Sequence, residues 1–220
     1  FNNENIPQYL CPDEVINAVV KITNIRPLSE KWMFMASLGG GIYSAPDAIT
    51  FKSVLVNGVV IFNYQPRKNF KLGLGAAVTN SYGMPMALPA VFVDWDLSNK
   101  NKYEFVIKSA YGLNISFATK LNDKFKLRLV GLEMDGLSSV IEVDGDSKIF
   151  GTRLTKSSLN LEYNLGKKVF AFVGAGGTWS RKTTVSDRSI KELFNAFSLN
   201  KSHEYHFDPS LNLSVGFKYG

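Results

Sequence analysis

The sequence predicts an all-β protein: an antiparallel transmembrane β-barrel of 10–12 strands, with short periplasmic turns and longer extracellular loops. Three observations carry that prediction. Apolar and polar residues alternate with period two along most of the chain, as they do where successive side chains point to opposite faces of a strand. Short and long connections largely alternate, the layout of an outer-membrane barrel. Aromatic residues collect beside the short turns, at the height where a bilayer interface favours them.

The strands follow in order. Near 14–25, Ile16, Ala18, Val20 and Ile22 alternate, which outweighs the helix start offered by Pro12-Asp13-Glu14. Near 32–44, Trp32, Phe34, Ala36, Leu38 and Ile42 oppose Met33, Met35, Ser37, Gly39 and Gly41. Near 51–65, Val54, Val56, Val60, Phe62 and Tyr64 oppose Ser53, Asn57 and Asn63. Near 70–80, Phe70, Leu72, Leu74, Ala76 and Val78 oppose Lys71, Gly73, Gly75, Ala77 and Thr79. Near 88–97, Val91, Val93, Trp95 and Leu97 oppose Ala90, Asp94 and Asp96. The stretches 103–110, 113–120 and 124–133 repeat the split through Phe105, Phe117 and Leu129. Near 148–165, Leu159, Leu161, Tyr163 and Leu165 oppose Ser158, Asn160, Glu162 and Asn164. The stretch 169–180 is strand-like with a blurred phase at Gly174 to Gly177, where a bulge is expected. Near 208–219, Leu211, Leu213, Val215, Phe217 and Tyr219 oppose Ser210, Asn212, Ser214, Gly216 and Lys218.

Pro66 to Asn69, Ser98 to Asn101, Asn122 to Lys124 and Gly166 to Lys168 are tight connections rich in turn formers. Ser44 to Thr50, Ser81 to Ala87, Met134 to Ser147 and Arg181 to Phe207 are the long loops. Ile190, Leu193, Phe194 and Phe197 fall on one helical face, so Ser189 to Phe197 is expected to form a short helix. Residues 1–13 read as an N-terminal extension or loop, and 14–220 as one barrel domain. The strand count is eleven, whereas single-chain bacterial barrels have an even number. Residues 14–25 outside the barrel, or 103–120 as one strand, would give ten. A strand upstream of Phe1 would give twelve.

The 220 residues are 45% hydrophobic and 20% charged, enough apolar side chain to exclude a disordered chain. Cys11 is the single cysteine, which excludes a disulfide scaffold. Tyr9-Leu10-Cys11 resembles a lipoprotein cleavage site but lacks a small residue before the cysteine and an apolar run before that. No apolar run reaches the ~18 residues of a spanning helix. The 25 Lys+Arg outnumber 19 Asp+Glu for a net charge of +6. They are spread without a run of four basic residues, so no nucleic-acid partner is expected.

Trp32, Tyr64, Phe70, Trp95, Tyr103, Phe125, Tyr163, Phe170 and Tyr219 all lie beside a short turn or the C-terminus. They are the candidate membrane-interface aromatics. Lys71, Asp94, Asp96, Glu104, Lys108, Lys126, Arg128, Glu162 and Lys218 fall on the opposite phase and are the candidate lumen charges. Mixed signs in a narrow lumen point to a salt-bridged plug, since buried charges must be paired. The alternative use of the same charges is an ion-selective pore.

Three other constellations are weaker. Asp94 and Asp96 are paired carboxylates on one face, but near a short turn, where ion pairing is the simpler use. His203, His206 and Asp208, with Ser202 adjacent, lie in the last long loop with no established triad geometry and no further metal ligand. Glu133, Asp135, Glu142, Asp144 and Asp146 lack EF-hand spacing and read as a solvated acidic loop. No helix follows Gly73-x-Gly75 or Gly174-x-Gly176-Gly177, so neither reads as a phosphate loop.

Leu88-Pro89 precedes a strand with Asp94-Trp95 and the Ser98-Asn99-Lys100 turn. Leu121-Asn122-Asp123-Lys124 forms a second turn, and the chain closes on Gly216-Phe217-Lys218-Tyr219. On these segments the chain, from about residue 14 onward, resembles a family of small outer-membrane barrels from Bacteroidota described only as a domain of unknown function. The resemblance implies an outer-membrane barrel and assigns no catalytic residues. Ser214-x-Gly216-x-x-Tyr219 also resembles the signal read by barrel-assembly machinery, from which Gly220 is a small departure.

The expectation is therefore a Gram-negative outer-membrane barrel with a structural or scaffolding role, alone or as a subunit of an envelope complex. A narrow channel for ions or small solutes is the alternative, and a rim enzyme acting on lipid or peptide comes third. No enzymatic activity, cofactor or metal is expected. The expected partners are outer-membrane lipid and lipopolysaccharide, the barrel-assembly machinery and other outer-membrane proteins.

Overall fold

The computed structural model describes residues 14–46, 49–82, 84–97, 103–166, 168–187 and 204–219. The extension at 1–13, the helix expected at Ser189 to Phe197, and His203 with Ser202 lie outside the described residues.

Among the described residues, twelve strands form one sheet: β1 (Ile16–Pro27), β2 (Trp32–Ser44), β3 (Val54–Arg67), β4 (Phe70–Thr79), β5 (Met86–Asp96), β6 (Tyr103–Lys108), β7 (Leu113–Lys120), β8 (Phe125–Val143), β9 (Asp146–Gly166), β10 (Val169–Asp187), β11 (Glu204–Phe207) and β12 (Ser210–Tyr219). Consecutive strands up to β10 pair antiparallel. β11 pairs with Arg181 to Thr184 of β10 and β12 with Val169 to Thr178. They are successive lengths of one crossing, so the expected eleven crossings are present. A reversal at Ala110 to Gly112, with Gly112 at φ 128°, separates β6 from β7. Residues 103–120 are thus two strands.

The interval Met134 to Ser147 is a hairpin, not the long loop expected. β8 and β9 run up to a two-residue turn, Asp144-Gly145, with φ of 54° and 83°. Such turns match the twist of the flanking strands. The bulge expected at Gly174 to Gly177 falls slightly later, between Thr178 and Ser180.

The closed ring has seven strands, β2 to β8, fewer than the ten to twelve expected. β8 is 19 residues long, and its ladder with β9 slips between Val130 and Glu133. Beyond that slip it reaches β2, where Ser44 pairs parallel with Val140. β1 on one side and β9 to β12 on the other continue the sheet past the closure. β1 is exposed along its whole length.

Side chains of the two phases go to opposite faces. Leu38, Val56, Phe62, Leu74, Leu129 and Val173 stand exposed on the outer face. Ser37, Asn57, Val59, Ile61, Ala77, Ala90 and Ala118 are buried inside. Val59, Ile61, Ala77 and Ala90 form an inner cluster with Ala110 and Tyr111 against it, so the β6–β7 reversal fills the interior. Toward the long-loop end, Tyr43, Leu55, Val140 and Ile149 pack together, and Tyr82, Met84 and Met86 form another cluster. The upper β8–β9 hairpin is pinned to the connection between β4 and β5. Ser138 Oγ donates to the Asn80 carbonyl at 2.8 Å and Arg153 Nε to the Tyr82 carbonyl at 2.9 Å. Burial pushes the Tyr82 phenol above its ordinary pKa, against the pull of Arg153.

Buried Asn57 holds this region together. Its Nδ2 donates to Tyr43 Oη at 2.7 Å, and its Oδ1 accepts from the Asn80 backbone N–H at 2.9 Å. Asn57→Ala leaves that N–H without its acceptor, so a loss of about 1–3 kcal/mol is expected by equilibrium urea unfolding. An unchanged midpoint would contradict this assignment.

Candidate functional site

The candidate site is the charged floor of the interior with the aromatic girdle outside it. Five of the nine expected interior charges form one chain of ion pairs. Lys126 Nζ donates to Glu104 at 2.7 Å, and Arg128 Nη2 to Glu104 Oε2 at 3.3 Å. Arg128 Nε donates to Glu162 Oε1 at 2.9 Å, and Lys218 Nζ to the same oxygen at 2.6 Å. The chain of contacts ties β6, β8, β9 and β12.

Small residues make these reaches possible. Between Glu104 on β6 and Arg128 on β8, the register position on β7 is Ala118. A methyl group there leaves the space over β7 open to the guanidinium, which also donates to Ser116 Oγ at 3.4 Å. Between β9 and β12, the row Glu162, Phe172, Gly216 crosses β10. A Cβ at Gly216 would sit 2.9 Å from the Phe172 ring. Lys218 passes 5.4 Å above the Phe170 ring on its way to Glu162, a cation–π contact.

The other four charges lie outside this chain. Lys71 faces Asp94 in register, Asp96 faces Glu104, and Lys108 stands exposed opposite Phe92. Asp94 and Asp96 therefore each face another charged residue across the ladder. His206 is exposed on β11 opposite Lys182, and Asp208 is exposed beyond that strand. The acidic residues expected as a loop cluster are strung along the β8–β9 hairpin, with Asp135 paired to Lys156 at 2.8 Å. Among the described residues, no group of three or more His, Cys, Asp or Glu is arranged to hold a metal.

Eight of the nine girdle aromatics keep the outer phase, and cross-strand pairs bring six of them together. Ring centroids are 4.7 Å apart for Trp32–Tyr64, 5.8 Å for Phe70–Trp95 and 5.0 Å for Phe125–Tyr163. Tyr219, on the outer phase, stands exposed on β12. Phe170 is a correction. A register shift between Val169 and Phe170 puts it opposite Asn164 and Lys218, on the inner face. Three further aromatics, on the apolar phase of their strands in the sequence but not among the girdle candidates, join cross-strand pairs on the outer face. Phe34 and Phe62 meet at 5.2 Å, and Phe117 meets Tyr103 at 5.3 Å. Placing β2 against β3 in register would have shown the first pair.

In the ion-pair chain, three cations and two carboxylates pair with one another and bind strands together, with both cations at Glu162 on Oε1 and its buried Oε2 left without a hydrogen-bond partner. The arrangement fastens β6, β8, β9 and β12 to one another. The chain matches no curated protein and no solved structure. A family model matches residues 1–220, and the chain belongs to that family, described as Domain of unknown function (DUF6268).

Proposed function

We propose that this protein is an outer-membrane β-barrel of a Gram-negative bacterium, of the Bacteroidota type, with a structural or scaffolding role in the envelope. The observation that carries the reading is its inverted polarity. Large aliphatic and aromatic side chains stand exposed around the outside, while carboxylates and cations are paired inside. That is the distribution of a barrel solvated by lipid. Strands β4, β5 and β12, of 10, 11 and 10 residues, have the ~9–11 needed to cross a bilayer tilted. Among the described residues no helix is long and apolar enough to cross a membrane. In this reading the short turns face the periplasm. The exposed apolar row from Leu211 to Tyr219 supports recognition of the last strand by assembly machinery.

The packed interior favours scaffolding over transport. In planar bilayers the purified protein is expected to insert without producing conductance steps. Stable, reproducible steps would instead establish the narrow channel. Recovery of the signal-bearing protein in the soluble periplasmic fraction would sink the barrel-in-membrane reading altogether.

A further inference from the structure

The net charge of +6 is scattered along the sequence, yet the fold gathers much of it at one end. Arg26 and Lys31 flank the β1–β2 turn, Arg67 and Lys68 the β3–β4 turn, Lys124 the β7–β8 turn and Lys168 the β9–β10 turn. All six are exposed. None is in an ion pair with another described residue. The same turns expose Glu30 and Asp123 alone among described acidic residues. The opposite end exposes Glu142, Asp144, Asp146, Asp187 and Asp208 against Lys52.

The cations lie just beyond the aromatic girdle. Lys31 precedes Trp32, Lys68 lies two residues before Phe70, and Lys124 precedes Phe125. At a strand rise of ~3.3 Å per residue, each stands one or two steps outside the ring-bearing level. A bilayer with aromatics at its interface has its phosphates there.

We propose that this basic collar binds the phosphates of anionic phospholipids in the leaflet at the short-turn end. The proposal rests on the membrane-spanning reading above. The distribution of charge selects the occupant. The cations come from four turns spaced along the sheet rather than from one flank, which suits a surrounding leaflet better than a protein docking on one side. Lysine and arginine near an anionic surface gain additively, and the gain falls with salt.

The test uses the whole chain refolded into vesicles of phosphatidylcholine alone or mixed with phosphatidylglycerol. Folding is read from the gel mobility of unheated samples across a temperature series. Insertion is expected in both lipids, with a melting temperature ~5–10 °C higher in the anionic vesicles at low salt. Raising the salt should remove the difference. So should combining Arg26→Gln, Lys31→Gln, Arg67→Gln, Lys68→Gln, Lys124→Gln and Lys168→Gln, while melting in phosphatidylcholine stays at the wild-type value. Equal melting in both lipids at low salt overturns the collar alone. Equal melting together with retention of the wild type on immobilised poly-glutamate would assign the collar to an acidic protein instead. Failure to insert into either lipid overturns the membrane-spanning reading and the collar with it.

Discussion

Glu162→Ala is expected to lower the unfolding free energy by about 3–5 kcal/mol, the cost of breaking a buried ion pair from one side. The Glu162 side chain is 4% exposed, and one of its oxygens takes both Arg128 and Lys218. Without it, two cations face each other in a medium that screens them poorly, and β9 loses its tie to β12 across β10. Lys218→Met should cost only about 1 kcal/mol, because Lys218 is 39% exposed and Glu162 keeps Arg128. Replacing both Glu162→Leu and Arg128→Met should recover much of the loss, since an apolar pair needs no mutual compensation. Equilibrium urea unfolding of the refolded protein, followed by the fluorescence of Trp32, Trp95 and Trp179, measures all three. A Glu162→Ala loss of ~1 kcal/mol or less would mean that the ion-pair chain merely fills space.

The second large effect is expected at Gly75. This residue is on the inner face of β4, where the sheet turns so tightly that a Cβ would overlap the Val60 carbonyl oxygen on β3 and lie 2.9 Å from the Ile61 Cα. Both obstacles are backbone, so no side-chain rotation relieves them. Gly75→Val should therefore exceed the ~1–3 kcal/mol of ordinary overpacking and prevent folding, read as loss of the fast-migrating unheated band. Gly40→Ala is the control. The nearest obstacle to its Cβ is the Leu55 carbonyl oxygen at 3.9 Å, and it should fold as the wild type does. A folded Gly75→Val variant with unchanged stability would refute the tight corner.

The difference between these glycines is invisible in the sequence, where both interrupt strands of similar character. What was legible is whatever the two environments, outer and inner, write into alternation. The eleven crossings, the outer aromatics and the inner charges follow from period two. The upper part of β8 escaped because Ser138, Ser139, Val140 and Ile141 are all buried, so its two faces do not differ. Phe170 was misplaced because Val169, Phe170, Ala171 and Phe172 are all apolar and carry no phase. The interior charges were identifiable, but their partners were not. Glu104 reaches Arg128 only through the register that sets Ala118 between them.

The register slip in β8 divides one continuous strand into a ring wall below and a hairpin arm above. A loop can swing aside by rotating a few dihedrals while the scaffold beneath it stays intact. Here the Ser44–Val140 bridge between β2 and the hairpin is also the seam that closes the seven-strand ring. Moving the hairpin off β2 therefore opens the ring itself. That movement is a partial unfolding event, with a free energy tied to the stability of β8 and β9. Whatever raises the melting temperature of that hairpin also tightens the seam.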